Sequence, residues 1–234
     1  AVMTYSNKGY NGMSQNMHSF IRECIIRGAW KKKVRPVLLN SWEASYFDIN
    51  EKKLLNLAKA AKDVGVELFV MDDGWFGNRD NDTKGLGDWS ANTKKLPQGI
   101  AGIAKKVNDL GLDFGLWVEP EMVNVNSDLY RNHPEWTIEI PNMPHSESRN
   151  QRILDFCNPE LVEYMTKQME NVFSSGNVAY VKWDMNRIFS DYYSQYLPAS
   201  KQKEVAHRYI LGVYKMLESL NQTFPHILFE GCAS

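Results

Sequence analysis

The hydrophobic pattern of this chain alternates between short apolar runs and longer segments with helical spacing. The runs at 35–42, 67–73 and 113–118 lack clean polar–apolar alternation, which is typical of strands buried on both faces. Segment 100–110 carries apolar residues three and four positions apart and is followed by Gly111, as expected of an amphipathic helix with a glycine stop. The pattern predicts further strands at 153–156, 179–184 and 227–229, and further helices after Asn50, after Asn158 and through 209–220.

This order of elements predicts an α/β fold. Buried strands that are each followed by an amphipathic helix form a parallel sheet with covered faces. No glycine-rich GxGxxG turn follows the first strand, which favours a (β/α)8 TIM barrel over a dinucleotide-binding sheet. We expect about six of the eight units within 35–234, so that the barrel is truncated after the sixth strand. Residues 1–34 show little periodicity and predict an entry segment, mostly irregular, with some helix at 19–27.

Composition and charge exclude several classes of protein. The 234 residues are 43% hydrophobic, which is enough to bury a core. Twenty-seven basic and 28 acidic residues leave a net charge of −1, so nothing draws the chain to nucleic acid or to an anionic membrane. Apolar runs stay far below the ~20 residues of a bilayer span. Three cysteines without a CxxC pair predict a reducing, cytoplasmic location and neither disulfides nor a thiolate metal site.

Acidic and tryptophan residues are concentrated at the carboxyl ends of the predicted strands. Barrel enzymes place their chemistry at this end of the sheet. A pyranose ring has an apolar face that packs on indole, and its hydroxyl groups suit carboxylates. The pattern therefore favours a carbohydrate pocket. The residues at these strand ends are Trp42, Asp72, Asp73, Trp75, Trp117, Glu119, Glu121, Asp155, Lys182, Trp183, Asp184 and Glu230.

Lys182 and Asp184 lie two positions apart on one predicted strand, so both side chains face the same way and Trp183 faces the other. A lysine beside a carboxylate keeps that carboxylate ionised, as the nucleophile of a retaining glycosidase must be. A buried structural ion pair explains the spacing equally well. Adjacent Asp72 and Asp73 leave a similar choice between binding two sugar hydroxyls and capping the turn.

A metal site is the competing chemistry. Several strand-end carboxylates could supply oxygen ligands to Mg²⁺ or Ca²⁺, as in a metal-dependent aldolase or isomerase. No histidine ends a predicted strand before His226, and no loop has calcium-binding spacing, so we expect no metal. The carboxylates in question are Asp72, Asp73, Glu119, Glu121, Asp155 and Asp184.

Four sequence motifs follow one another along the chain: LNSWEA at 39–44, MDDGWF at 71–76, LWVEPEM at 116–122 and YVKWDMNR at 180–187. Together they resemble glycoside hydrolase family 36, the microbial α-galactosidases of the melibiase and raffinose-degrading kind. The resemblance covers 35–234, about four-fifths of the chain. It implies a retaining α-galactosidase that hydrolyses terminal α-1,6-galactosides such as melibiose and raffinose by double displacement. It also implies no metal or organic cofactor and a homo-oligomeric parent enzyme, a tetramer in the family.

The resemblance also implies residue roles. Asp184 matches the catalytic nucleophile of the family, and Trp42 matches an aromatic wall near a neighbouring subunit. The general acid/base of the family is an aspartate downstream of 234, so we expect this chain alone to hydrolyse aryl α-galactosides very slowly. The matches to residues that bind or line the sugar site are Asp72, Asp73, Trp117, Arg149, Lys182 and Cys232.

Three other activities share these features. A galactosyl transferase of the raffinose or stachyose synthase type uses the same nucleophile and differs in its acceptor. An α-N-acetylgalactosaminidase differs in the sugar. A non-catalytic galactoside-binding barrel would still bind sugar after Asp184→Asn and would not be labelled by a mechanism-based galactosyl inhibitor.

Overall fold

The computed structural model describes residues 2–233, which form two compact units, one up to Arg35 and one from Pro36. In the first unit, helix α1 (Gly9–Phe20) continues into a π-helical turn (Ile21–Ile25), and a 3-10 turn follows (Ala29–Lys31). The helix predicted at 19–27 therefore begins ten residues earlier. Because α1 buries none of its residues, it carries no apolar stripe from which the sequence could locate it.

The second unit contains seven strands and six helices among its described residues. It also contains two short 3-10 turns, Pro134–Trp136 and Ala199–Glu204. The strands are β1 (Leu38–Asn40), β2 (Leu68–Met71), β3 (Asp113–Val118), β4 (Met122–Val123), β5 (Arg152–Ile153), β6 (Tyr180–Met185) and β7 (Leu228–Ala233). The helices are α2 (Trp42–Ser45), α3 (Glu51–Asp63), α4 (Gly99–Asp109), α5 (Asp128–Asn132), α6 (Pro159–Ser174) and α7 (Val205–Thr223).

Five of the strands form one curled parallel sheet in the order β1-β2-β3-β6-β7. All four residues of β2 and five of the six in β3 are buried, which explains why these strands read as apolar runs without alternation. The predicted α/β class is confirmed. In the register, Trp117 lies opposite Lys182 and Asp184 lies opposite Cys232, so the carboxyl ends of neighbouring strands meet at one edge.

The strand predicted at 153–156 does not join this sheet. Arg152–Ile153 instead pairs antiparallel with Met122–Val123, and Leu154 forms an isolated bridge with Thr137. The run is apolar because it is buried, and burial alone does not distinguish a barrel strand from a covering segment. The sheet therefore has five parallel strands among residues 2–233, and the prediction of six barrel units was wrong for this part of the chain.

The predicted helix boundaries after Asn50 and Asn158 are confirmed. The side-chain oxygen of Asn50 accepts the backbone N–H of Lys53 at 3.0 Å, and that of Asn158 accepts the N–H of Glu160 at 3.0 Å. Each amide satisfies a donor that the first helical turn leaves without a partner. Across residues 2–233, no helix combines the length and the apolar character that crossing a bilayer would require.

Candidate active site

A cavity of about 260 Å³ lies at the carboxyl edge of the parallel sheet. Its lining includes residues from the exits of β1, β2, β3, β6 and β7. A larger open groove of about 770 Å³ runs along α6, and none of the strand-end residues line it. The structure thus brings together all eight residues that the sequence nominated: Trp42, Asp72, Asp73, Trp117, Arg149, Lys182, Asp184 and Cys232.

Asp184 lies near the end of β6, and three donors fix its carboxylate. One oxygen, Oδ2, accepts from Nε1 of Trp117 at 2.9 Å and from Nδ2 of Asn186 at 2.6 Å. The other, Oδ1, accepts the backbone N–H of Met185 at 3.0 Å. A carboxylate held on both oxygens has a defined orientation, which is what attack on a bound substrate requires.

The contact between Trp117 and Asp184 depends on a close approach of β3 and β6. Gly115 lies two residues before Trp117, opposite Tyr180 in the sheet. A Cβ at Gly115 would lie 2.8 Å from the ring of Tyr180 and 3.0 Å from its backbone oxygen. Glycine is therefore required for this strand spacing.

Lys182 pairs with Asp72 and not, as the sequence suggested, with Asp184. Its Nζ lies 3.1 Å from Oδ2 of Asp72, and the same oxygen accepts from Nδ2 of Asn40 at 2.5 Å. Oδ1 of Asn40 accepts the backbone N–H of Trp42 at 2.7 Å. Burial lowers the pKa of Lys182, but nearby charges, Asp72 first, outweigh it, and the pKa is raised. Lys182 therefore stays protonated. A chain of contacts through Asp72 and Asn40 links it to the backbone of Trp42.

Asp73 forms a buried ion pair that the sequence did not predict. Arg79 donates from Nε to Oδ1 at 2.9 Å and from Nη2 to Oδ2 at 2.8 Å, and the two side chains are only 2% and 7% exposed. Burial raises the pKa of Asp73, and the arginine opposes this shift. The turn-capping alternative applies to Asp72, whose Oδ1 accepts the backbone N–H of Asp73 at 2.8 Å.

Two of the four strand-end tryptophans line the cavity and two belong to the core. Trp42 begins α2, and its ring meets that of Phe47 edge to face, with centroids 5.1 Å apart. Trp75 is fully buried and donates to the backbone oxygen of Trp117 at 2.9 Å. Trp183 donates to Oε1 of Glu121 at 2.9 Å, on the opposite face of β6 from Asp184. Trp42 and Trp117 are therefore the indoles that line the cavity, Trp42 half-buried and Trp117 only 2% exposed.

The cavity also contains residues to which the sequence assigned no sugar-site role. Arg79 and Asp82 lie in the loop between β2 and α4, which is irregular and gave no periodic signal. Asn186 falls inside the fourth motif, two residues after Asp184, and Glu119 falls inside the third motif at a strand end; these two positions were the usable signals. The full set of these residues is Phe47, Arg79, Asp82, Glu119, Gln151 and Asn186.

The six carboxylates considered as metal ligands do not form one ligand group among the described residues. Glu121 accepts from Trp183 and from the hydroxyl of Tyr209 at 2.7 Å, and Asp155 accepts from Ser194 at 2.5 Å. Neither Glu121 nor Asp155 lines the cavity. Within the part of the chain that the structure describes, no group of three histidine, cysteine or acidic side chains is placed to hold a metal ion.

Glu119 follows β3 and is a fully buried carboxyl in the cavity wall. Its Oε1 accepts the backbone N–H of Asn186 at 2.5 Å, and its Oε2 accepts from Nε2 of Gln151 at 2.9 Å. Burial raises the pKa of Glu119 from 4.5 to about 7, and the negative charges of Asp184 and Asp73 add to the shift. The folded protein therefore holds a proton on Glu119 at pH values where the unfolded chain has released it.

Because the folded protein holds this proton on Glu119, its free energy of unfolding should depend on pH. Between pH 4.5 and about 7 the folded state binds more protons at Glu119 than the unfolded state, so its contribution to stability is present at acidic pH and lost as pH rises. The shift corresponds to roughly 3 kcal/mol. Urea unfolding at pH 5 and at pH 7.5 measures this change in the free energy of unfolding. Glu119→Gln should remove this part of the difference, whereas Glu163→Gln, at an exposed carboxylate on α6, should not; equal changes in the two variants would contradict the assignment.

The chain belongs to the Melibiase family, whose model matches residues 1–234. It is 52% identical to α-galactosidase AgaA of Geobacillus stearothermophilus over 99% of its own length and 32% of that protein, and the crystal structure of AgaA gives a TM-score of 0.97 over the same shares. α-Galactosidase 1 of Pediococcus pentosaceus is 47% identical over 99% of this chain and 32% of its own.

A crystal structure of an AgaA variant in complex with raffinose also matches this chain. It is 51% identical, covers 98% of this chain and 32% of the variant, and has a TM-score of 0.96. The resemblance to glycoside hydrolase family 36 is therefore confirmed. The chain spans about a third of the length of these relatives.

Proposed function

We propose that the protein carrying this chain is a retaining α-galactosidase that hydrolyses terminal α-1,6-galactosides such as melibiose and raffinose. The observation that carries the proposal is Asp184, fixed by Trp117 and Asn186 inside the strand-end cavity. The family, the names of the relatives and the raffinose complex of AgaA support the same activity. No observation favours a transferase or a binding-only protein.

The reaction is a double displacement. Asp184 attacks the anomeric carbon and forms a galactosyl ester, while an acid protonates the departing oxygen; the same group, now a base, then activates water. Retaining enzymes place the two carboxyl groups ~5–5.5 Å apart. Three of the four other cavity carboxyls already hold protein partners: Asp72 binds Lys182, Asp73 binds Arg79, and Glu119 accepts from backbone and amide. The fourth, Asp82, lies in the irregular loop between β2 and α4. We propose that the acid/base is an aspartate outside these 234 residues.

The remaining predicted residues bind and enclose the galactose. Trp42, the more exposed of the two cavity indoles, packs against the apolar face of the ring. Trp117, almost fully buried, closes the cavity wall beside Asp184. Arg149 donates to Oδ1 of Asn186 at 3.0 Å, which places its guanidinium beside the nucleophile. The hydroxyl groups bind polar side chains that are already held in place. These are Asp72, Asp73, Lys182 and Cys232.

The proposal extends to the architecture of the whole protein. The curled five-stranded sheet is part of a (β/α)8 barrel, with 1–34 as the segment that leads into it and 35–234 as barrel. Homo-oligomers, tetramers in the family, are the proposed assembly. Both displacement steps use carboxyl groups directly, so neither requires a metal or an organic cofactor.

Product analysis tests the proposal on the protein as its gene encodes it. Galactose should be released from melibiose, raffinose and an aryl α-galactoside, and the first product seen by NMR should be the α-anomer. An aryl β-galactoside and an aryl α-glucoside are the controls and should stay intact. Initial formation of β-galactose, or covalent labelling by a fluorinated galactosyl fluoride at a residue other than Asp184, would overturn it.

A further inference from the structure

One buried carboxyl of the cavity has no part in the reaction described above. Glu119 is 0% exposed, and both of its oxygens face protein donors. Oε1 accepts the backbone N–H of Asn186, and Oε2 accepts from Gln151. A carboxyl with this environment neither binds a sugar hydroxyl nor protonates a departing oxygen.

The contacts of Glu119 lead to the nucleophile in two steps. Glu119 holds the backbone of Asn186 at 2.5 Å, and the side chain of Asn186 donates from Nδ2 to Oδ2 of Asp184 at 2.6 Å. Arg149 donates to Oδ1 of the same amide at 3.0 Å. The backbone and both side-chain polar atoms of Asn186 are therefore fixed at the same time, so the amide has one orientation relative to Asp184.

We propose that Glu119 is a positioning residue for the nucleophile: it fixes the backbone of Asn186, whose side chain sets the orientation of the Asp184 carboxylate. The inference rests on the proposed function, because it assumes that Asp184 attacks the sugar. Without Glu119, Asn186 loses one of its three anchors. Small displacements of an attacking group reduce rates by up to about 100-fold.

Glu119 also acts through its charge. Asp184 on β6 and Asp73 after β2 are the acidic groups that raise its pKa, while Arg79 pairs with Asp73, Lys182 pairs with Asp72, and Arg149 binds the far side of Asn186. When Glu119 ionises, a second negative charge lies close to Asp184. Formation of the ester removes the charge of Asp184 and relieves this repulsion. Ester formation should therefore become faster as Glu119 ionises, near pH 7.

The test measures the rate at which a fluorinated galactosyl fluoride labels Asp184, since fluoride leaves without strong acid assistance. In the unaltered protein the rate should rise with pH through about 7. Glu119→Gln keeps an acceptor for Asn186, and Gln151 can turn its Oε1, a buried atom without a partner, towards the new amide. The labelling rate of this variant at pH 6 should be within about fivefold of that of the unaltered protein. The rise in rate through about pH 7, here called the pH step, should be absent.

Glu119→Leu removes the acceptor as well as the charge. Its labelling rate and its kcat on an aryl α-galactoside should fall roughly 10- to 100-fold, with galactose affinity changed less than about threefold, because no sugar contact is lost. Glu121→Gln is the matched control: Glu121 is a buried carboxyl two residues further on that binds Trp183 and Tyr209. Its labelling should keep the pH step.

Three outcomes separate the inference from the proposed function. A folded Glu119→Leu variant that labels at the unaltered rate overturns the inference, and so does a pH step that persists in Glu119→Gln. If Glu119→Leu does not fold, the pH dependence of the labelling rate in Glu119→Gln decides the question alone. A fully active unaltered protein in which Asp184 is never labelled overturns the proposed function and the inference together.

Discussion

Replacing Asp184 by asparagine should lower kcat on an aryl α-galactoside by at least about 10⁴-fold while galactose still binds. The amide keeps the shape of the side chain, so Trp117 at 2.9 Å still has an acceptor, but it cannot form the galactosyl ester. Loss of a covalent nucleophile removes an interaction made only along the reaction path, so kcat falls and affinity does not. Steady-state kinetics and calorimetric titration with galactose measure the two effects separately.

Asp82→Asn provides the matched control for this prediction. Asp82 is another carboxylate of the same cavity and is half-buried, so the substitution removes an equivalent charge from the same space. Its kcat should fall less than about tenfold. A loss as large as that of Asp184→Asn, with activity restored by azide, would instead identify Asp82 as the acid/base and contradict its proposed location outside these 234 residues.

Arg79→Met should reduce the free energy of unfolding by about 3–5 kcal/mol. The substitution leaves the carboxylate of Asp73 buried without the three hydrogen bonds from Arg79 that now offset its loss of water. It also removes the donor that binds Oδ1 of Asn124 at 2.8 Å. Urea unfolding at neutral pH measures the change in stability.

Two further variants separate loss of the ion pair from loss of bulk. Arg131→Met breaks an exposed pair with Asp128, whose side chains are 55% and 77% accessible, and should cost no more than about 1 kcal/mol. Combining Arg79→Met with Asp73→Leu removes the stranded charge and should recover part of the stability. Equal losses in Arg79→Met and Arg131→Met would contradict the account.

Local signals were sufficient for much of the fold. The helices that begin after Asn50 and Asn158 combine a periodic pattern with a side-chain cap, so two independent features agree. Segment 153–156 has burial but no such second feature. Whether a buried run joins the parallel sheet depends on partners distant in the chain, in this case Met122–Val123, which the run itself does not encode.

The sequence could predict site residues that lie at the ends of strands. It could not predict contacts that depend on how the sheet curls. Seven of the eight nominated residues share the cavity because parallel strands end at one edge. Arg149 lies instead in the turn before β5, and only the family resemblance nominated it. The prediction that Lys182 pairs with Asp184 was wrong, and the sequence did not indicate Asp72 as its partner. The reason is that β3 lies between β6 and β2, and strands two apart in a flat sheet are ~10 Å apart. Curling of the sheet and the length of the lysine bring Nζ to 3.1 Å from Asp72.

The alternation of side chains along β6 limits which length changes the gene can tolerate. Lys182 and Asp184 face the cavity, and Trp183 between them reaches Glu121 on the other side. One residue inserted or deleted within β6, between Tyr180 and Lys182, would exchange these faces, moving an indole into the sugar's place and two charges into the core. Indels inside this strand should therefore be rare among natural variants.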